Sequence, residues 1–321
     1  MQMQNLLFFL IDKLLLLLSR RAGGDHLALG LQILEKYFAN QPERMYTVCL
    51  EYMNRKQWFF RFIAGKYLGR FYVREPAAVK NYLEKLALDP EWQVREGAAW
   101  GMSSLWERQD SGNPQEEHGS ATEDDRIIAK RPQPVEDCIS ACYTHWLGDS
   151  REHLRATAAL SLVPVIKKGD PGLLPVLISL LDRLMQDDSP KVRGLVGPQL
   201  IGKALAETFP ATAKECLQRW LAIPLPVTQW QIARAVCGSL SIVFPGEVMQ
   251  ILHNLQCPEH PLVQGGLVHA LKRLSNSANP DLALAAGKYA EELGFSKDKA
   301  WLKVTDKDNS PDGQERDYDA L

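Results

Sequence analysis

The sequence predicts an all-α protein, a right-handed superhelix of about seven helical hairpins. Three observations carry that expectation. An apolar residue followed by Arg recurs at Phe60-Arg61, Val94-Arg95, Leu154-Arg155 and Val192-Arg193, with weaker copies at Ile232-Ala233 and Val263-Gln264. The second members are spaced by 34, 60, 38, 40 and 31 residues, a period typical of stacked helical hairpins. Pro42, Pro76, Pro90, Pro171, Pro190, Pro210, Pro226, Pro245, Pro261 and Pro280 stand at or near the start of apolar-periodic segments, where a missing N–H costs little. No stretch alternates polar and apolar residues between hairpin turns as strands would.

The elements follow in order. Residues 6–18 (LLFFLIDKLLLLL) are strongly apolar and open an N-terminal pair of helices at 5–20 and 25–39. With 13 residues including Asp12 and Lys13, that run is too short to span a bilayer. It also lacks the basic start and the cleavage site of a secretory signal. A buried end helix is expected, with a homodimer contact or a membrane-surface helix as alternatives. The pairs 43–54 with 56–73 and 76–88 with 91–106 come next, then 135–147 with 151–168 and 172–186 with 189–208. The pairs 210–222 with 227–243 and 245–256 with 260–274 complete the series, and a last helix spans 280–293. Short connections make the members of each pair neighbours. The 60-residue step contains one period plus an insertion. The expected organisation is therefore a hydrophobic capping hairpin at 1–40, repeats at 41–108, an acidic disordered insert at 109–133, repeats and a cap at 134–295, and a flexible tail at 296–321.

The recurring pair has a physical logic. The apolar member points at its hairpin partner, and a small residue three positions on (Ala64, Ala98, Ala158) lets the next repeat approach. Guanidinium offers five donors for carbonyls or acids of a neighbouring repeat. Arg61, Arg95, Arg155 and Arg193 are thus expected to serve the structure, with a row of anion contacts as the alternative.

The period, the two-helix unit, the segment from Asp89 to Val94-Arg95 and the run Asp188-Ser-Pro-Lys-Val-Arg193 resemble HEAT repeats over residues 40–275. That resemblance implies an armadillo-type α-solenoid and a binding scaffold. Residues 146–220 are also similar to a repeat of the HEAT-like DNA alkylation-repair glycosylases, through Trp146-Leu-Gly-Asp149-Ser150, Leu154-Arg155-Ala156-Thr157-Ala158, Val192 to Leu205, and Phe209-Pro210. In that family a Trp-Asp stretch one repeat upstream and a later Trp cradle the lesion. The present chain has no Trp-Asp dipeptide, and Pro198 stands near the place of the later Trp. No catalytic residue carries over.

Charge and chemistry bound the function. The 321 residues are 45% hydrophobic and 24% charged, with a net charge of −2. Residues 107–125 hold seven acids against Arg108 alone, while the chain outside this stretch and the tail sums to +6. A basic body of that kind can attract an anionic partner. The six cysteines lie apart in apolar helical stretches, which fits a reducing cytoplasm. Cys138, Cys142 and His145 share a helix face and could contribute to a metal site given a fourth ligand, although small cysteines on an apolar hairpin face are the commoner explanation. His253, His260 and His269 lack metal-ligand spacing, and neither Gly23-Gly24 nor Gly265-Gly266 has the setting of a phosphate loop. Close helix packing is the expected reason for Gly265-Gly266. The best candidate surface is residues 55–74, where aromatic and basic residues interleave. Arg55, Lys66, Arg70 and Arg74 could line one solvent face, suiting an acidic peptide or a nucleic-acid backbone. The same pattern also fits an amphipathic helix with its aromatics in the core. Anion binding would gain weight if Lys66, Arg70 and Arg74 joined Lys167, Lys168, Lys203 or Arg234 on one face.

These readings lead to a non-enzymatic, cytoplasmic scaffold, without cofactor or metal, that binds a protein or peptide on its concave face. The alternatives are a nucleic-acid-binding protein and a DNA glycosylase.

Overall fold

The computed structural model describes residues 10–17, 24–38, 41–106 and 133–295. Most of the acidic insert expected at 109–133, the whole tail at 296–321 and much of the run at 6–18 lie outside the described residues. Every regular element described is helical, with no strand among the described residues. No helix among them is long and apolar enough to cross a membrane. The chain forms two compact units, Met1–Cys142 and Tyr143–Leu321.

In the first unit, α1 (10–17) buries Ile11 and Leu15 and leaves Leu10, Leu14 and Leu17 exposed. Then follow α2 (Gly24–Phe38), α3 (Pro42–Tyr52), α4 (Trp58–Leu68), α5 (Pro76–Ala87) and α6 (Trp92–Ser104). Helix α4 packs on α3 and α6, and α5 packs on α6. A helix α7 (Gln133–Trp146) crosses into the second unit.

The second unit continues with α8 (Glu152–Lys167), α9 (Leu174–Leu184) and α10 (Pro190–Leu195). The chain then widens into a π-helical segment, Val196–Leu205, and closes in a single turn, Ala206–Thr208. Helices α11 (Pro210–Trp220), α12 (Pro226–Val236), the short α13 (Leu240–Val243), α14 (Pro245–His253), α15 (Pro261–Leu274) and α16 (Pro280–Glu292) complete it. Second helices of successive hairpins stack directly: α8 on the π segment, the π segment on α12, and α12 on α15.

Proline punctuation sets the boundaries. Among the described residues eight helices begin on a proline, at positions 42, 76, 190, 210, 226, 245, 261 and 280. Pro90 instead lies in the turn before α6, and Pro171 opens a 3-10 turn that Asp170 caps by accepting the Gly172 N–H at 2.9 Å. The apolar member of the recurring pair is invariably core. Phe60, Val94, Leu154, Val192, Ile232 and Val263 are all 0% exposed, so the frame persists where the arginine beside it is lost.

Two helices depart from the expected regularity, each for a local reason. The helix that begins at Pro190 contains Pro198, which lacks an N–H and whose ring presses on the carbonyl four residues back. The π register accommodates it. The helix expected to run to 243 stops at Val236, because the Ser239 N–H bonds across to the Gly202 carbonyl of the neighbouring segment at 2.9 Å.

The second helices meet backbone to backbone. A Cβ on Gly65 would lie 2.7 Å from the Ala98 nitrogen, and Cβ atoms on Gly69, Gly97 or Gly101 would collide with backbone of the facing helix. In the second unit a Cβ on Gly197 would stand 2.7 Å from the Gln231 carbonyl oxygen, and one on Gly202 would stand 2.6 Å from that of Ala235. Glycine is required at these contacts because any side chain would push the helices apart. Gly265 and Gly266 divide: Gly266 faces Trp230 and Ala233, whereas Gly265 looks into open space.

Gly65→Ala should therefore lower the stability of the protein by about 1–3 kcal/mol, and Gly265→Ala should be neutral or slightly stabilising. Urea unfolding midpoints of the two variants check this. Equal midpoints would refute the close-contact role of Gly65.

Candidate functional site

The turn before each second helix carries backbone carbonyls that need donors, and the recurring arginines supply them. Arg61 Nη1 donates to the carbonyls of Arg55 and Lys56 at 3.0 and 2.5 Å. Arg95 reaches those of Asp89 and Pro90 at 2.8 and 2.9 Å. Arg155 reaches Asp149 and Ser150 at 2.8 and 3.1 Å, and Arg193 reaches Asp188 at 3.0 Å. Two of the four also grip the next hairpin. The Arg61 fork closes on both carboxylate oxygens of Asp89 at 2.7 and 3.1 Å. The Arg155 fork closes on Asp187 at 2.7 and 3.2 Å. Each aspartate also accepts the backbone N–H two residues on, in Glu91 and Ser189. One side chain thus ties its own turn to the following one through charge-assisted, bidentate bonds.

Where the arginine is absent, another residue takes its place. Gln229, one helical turn before Ala233, donates to the carbonyls of Leu221 and Ile223 at 3.3 and 2.6 Å. Its oxygen accepts the Gln256 N–H of the next turn at 2.8 Å. Gln231 and Thr228 bond the Met185 carbonyl of the preceding hairpin at 3.0 and 2.8 Å. All three are fully buried. Arg193, without an acid across its seam, lies over the Trp230 ring at 5.5 Å. Asp149 is gripped by the Arg151 fork at 2.8 Å, which holds its carboxyl well below the usual range.

Residues 55–74 are less basic in the fold than in the sequence. Arg55 pairs with Asp12 at 3.4 Å, Arg70 with Glu35 at 3.7 Å, and Arg74 with Glu43. Lys66 is half-buried and lies over the Trp100 ring at 5.6 Å. Phe59, Phe60, Tyr67, Phe71 and Tyr72 are core, so the aromatic half of the interleaved pattern is not a stacking platform. The proposed companions Lys167, Lys168, Lys203 and Arg234 belong to the second unit.

Two of those companions line a cavity of about 640 Å³ built by the π segment, α12, the turn into α13 and the end of α15. Lys203, Arg234 and Arg273 converge there from three elements. The carboxylate in its wall, Glu207, accepts the Ser239 hydroxyl at 3.0 Å. His269 also lines it, and burial, then Arg234, Arg273 and Lys272, lowers its pKa to about 3. Cys237, buried in the same wall, has its thiol pKa raised by burial, against the pull of Arg234 and Arg273. Two separate groups therefore sense the same guanidinium pair. Lys203, Arg234 and His269 were visible in the sequence as single residues. Arg273 was missed, its only signal being its place one helical turn after His269.

The metal candidates disperse. Cys142 shares a 3.1 Å hydrogen bond with the Tyr72 hydroxyl, while Cys138 and His145 are exposed. His253 stacks on Tyr289, and His260 caps α15 by accepting the Leu262 N–H at 3.2 Å. Among the described residues no group of three or more His, Cys, Asp or Glu could hold a metal ion.

Two measurements test this arrangement. Arg155→Met and Asp187→Asn should each cost about 1–3 kcal/mol, and a double-mutant cycle should return a coupling of about 1 kcal/mol or more. Strict additivity would show that the pair does not bind the hairpins. His269 has a folded pKa below its unfolded value, so near pH 5 the native chain binds fewer protons than the unfolded one. Its contribution is complete above about pH 6.5 and is lost as pH falls toward about 3, at about 1.4 kcal/mol per pH unit. Denaturant unfolding at pH 5 and 7.5 should show a smaller difference for His269→Gln than for the parent. An equal difference would refute the assignment.

No family model matches the chain, and no curated protein matches it. Two solved structures, each described as an engineered protein, are 14% identical to it. One covers 80% of this chain and 100% of its own at a TM-score of 0.32. The other covers 80% and 97% at 0.30.

Proposed function

We propose that the protein is a non-enzymatic, HEAT-like α-solenoid of about seven hairpins that binds a protein or peptide partner on the surface formed by its second helices. The observation that carries this reading is the tuning of the cavity in the second unit. It gathers cations, yet two of its groups, Cys237 and His269, are set against catalysis. Burial keeps the Cys237 sulfur as a thiol, which is a poor nucleophile. His269, with a pKa near 3, is a weak general base. The recurring arginines are engaged within and between hairpins, which leaves recognition to other residues. A reducing cytoplasm remains the compartment that suits the six free cysteines.

Nucleic-acid binding through residues 55–74 is the weaker alternative, because Asp12, Glu35 and Glu43 already pair with three of its bases. The exposed Leu10, Leu14 and Leu17 keep a homodimer contact open as part of the proposal.

An affinity pull-down of the full chain, with and without nuclease, separates the readings. The expected result is a protein partner retained after nuclease, and no measurable binding of duplex DNA at low salt. DNA affinity that falls steeply with salt would overturn the proposal in favour of nucleic acid. Release of alkylated bases would overturn it in favour of an enzyme.

A further inference from the structure

We propose that the cavity of the second unit is a docking site for an acidic peptide segment, with one anionic side chain seated among Lys203, Arg234 and Arg273 and a neighbouring aliphatic side chain against Ile242. The inference rests on the protein-binding reading above and names the chemistry of the partner. Two independent features meet at the site. The first is charge: Lys203, Arg234 and Arg273 line the cavity from three elements, beside a single lining carboxylate, Glu207. Carboxylate and phosphate are the groups that guanidinium forks recognise best. The second is an apolar rim. Ile242 lines the same cavity and is 83% exposed, and Val243 beside it is 49% exposed.

A basic floor beside an aliphatic rim fits a peptide better than a nucleic-acid backbone. Duplex DNA is held by cations spread along its length, and a phosphodiester gains nothing from isoleucine. Here the cations line a single cavity instead, and its volume of about 640 Å³ is that of a small-ligand or side-chain pocket.

His269 supplies an internal reporter. It is surrounded by Arg234, Arg273 and Lys272, with Cys237 and Glu207 in the same wall. An anion placed among these cations makes protonation of the imidazole easier, so binding raises the pKa of His269 toward its ordinary value.

The test uses the full chain and fluorescein-labelled nine-residue peptides. Each carries a central glutamate or phosphoserine, a leucine one to three residues away, and otherwise glycine and serine. Matched peptides carry glutamine at the centre. By fluorescence anisotropy at least one acidic peptide should bind tenfold or more tightly than its glutamine counterpart. Arg273→Glu should remove that advantage, and Ile242→Asp, at a surface position that leaves folding intact, should weaken binding several-fold. The imidazole resonances of His269 should titrate at higher pH in the complex. The glutamate and phosphoserine arms identify which anion is preferred. The proposal is overturned if no acidic peptide binds, if glutamate and glutamine peptides bind alike, or if both variants keep full affinity. It is also overturned if a duplex oligonucleotide displaces the peptide at lower concentration than any acidic peptide does. A partner captured equally by Arg273→Glu and Ile242→Asp would reject the cavity while leaving the scaffold reading intact. Failure to capture any partner would reject the scaffold reading as well.

Discussion

Backbone carbonyls in the turn before a second helix have lost their helical partners, and burying them unpaired would cost more than most single contacts return. A long side chain from the first turn of the helix that follows can curl back and satisfy them. Arginine does this at residues 61, 95, 155 and 193, and Gln229 does it without a charge. The same reach brings the far end of the side chain to the next turn, where Asp89, Asp187 or the Gln256 N–H waits. Solving a local hydrogen-bonding problem thus links one hairpin to its successor.

Much of the fold was legible because its signals are local. A proline at the first helical position and an apolar residue every few positions need no knowledge of the rest of the chain, and the helix starts follow them closely. The contacts between hairpins were less legible. Arg61 and Asp89 are 28 residues apart, and Arg155 and Asp187 are 32 apart, so their pairing exists only once the hairpins stack. The sequence pointed to Ala64 and Ala98 as the close contacts, yet the glycines beside them, Gly65 and Gly97, also face the opposite backbone, and the tightest approaches of all are at Gly69 and Gly101. One residue of helical rotation separates the two readings, and periodicity alone does not resolve it.

Charge misled for a similar reason. Residues 55–74 carry bases and no acid of their own, but Asp12, Glu35 and Glu43 come to them from the preceding helices. The cavity inverts this case. Lys203 and Arg234 each stand alone between small residues in the sequence, and Arg273 sits in a short Lys272-Arg273 pair that gives no hint of the other two. They form a field only because three stacked elements place them at one end. The π segment contributes here, since Pro198, Gln199, Gly202 and Lys203 within it line the cavity.

The glycine contacts between α4 and α6 bear on mechanics. Where side chains fill the space between helices, a small displacement is absorbed by rotamer changes and the strain dies away within a few residues. Peptide groups in direct contact have no such freedom. Between Gly65, Gly97 and Gly101 there is no layer of side chains that could repack if α4 were displaced against α6. Bending within this unit is left to joints packed with long side chains, such as that between α3 and α4, where Tyr52 meets Phe60.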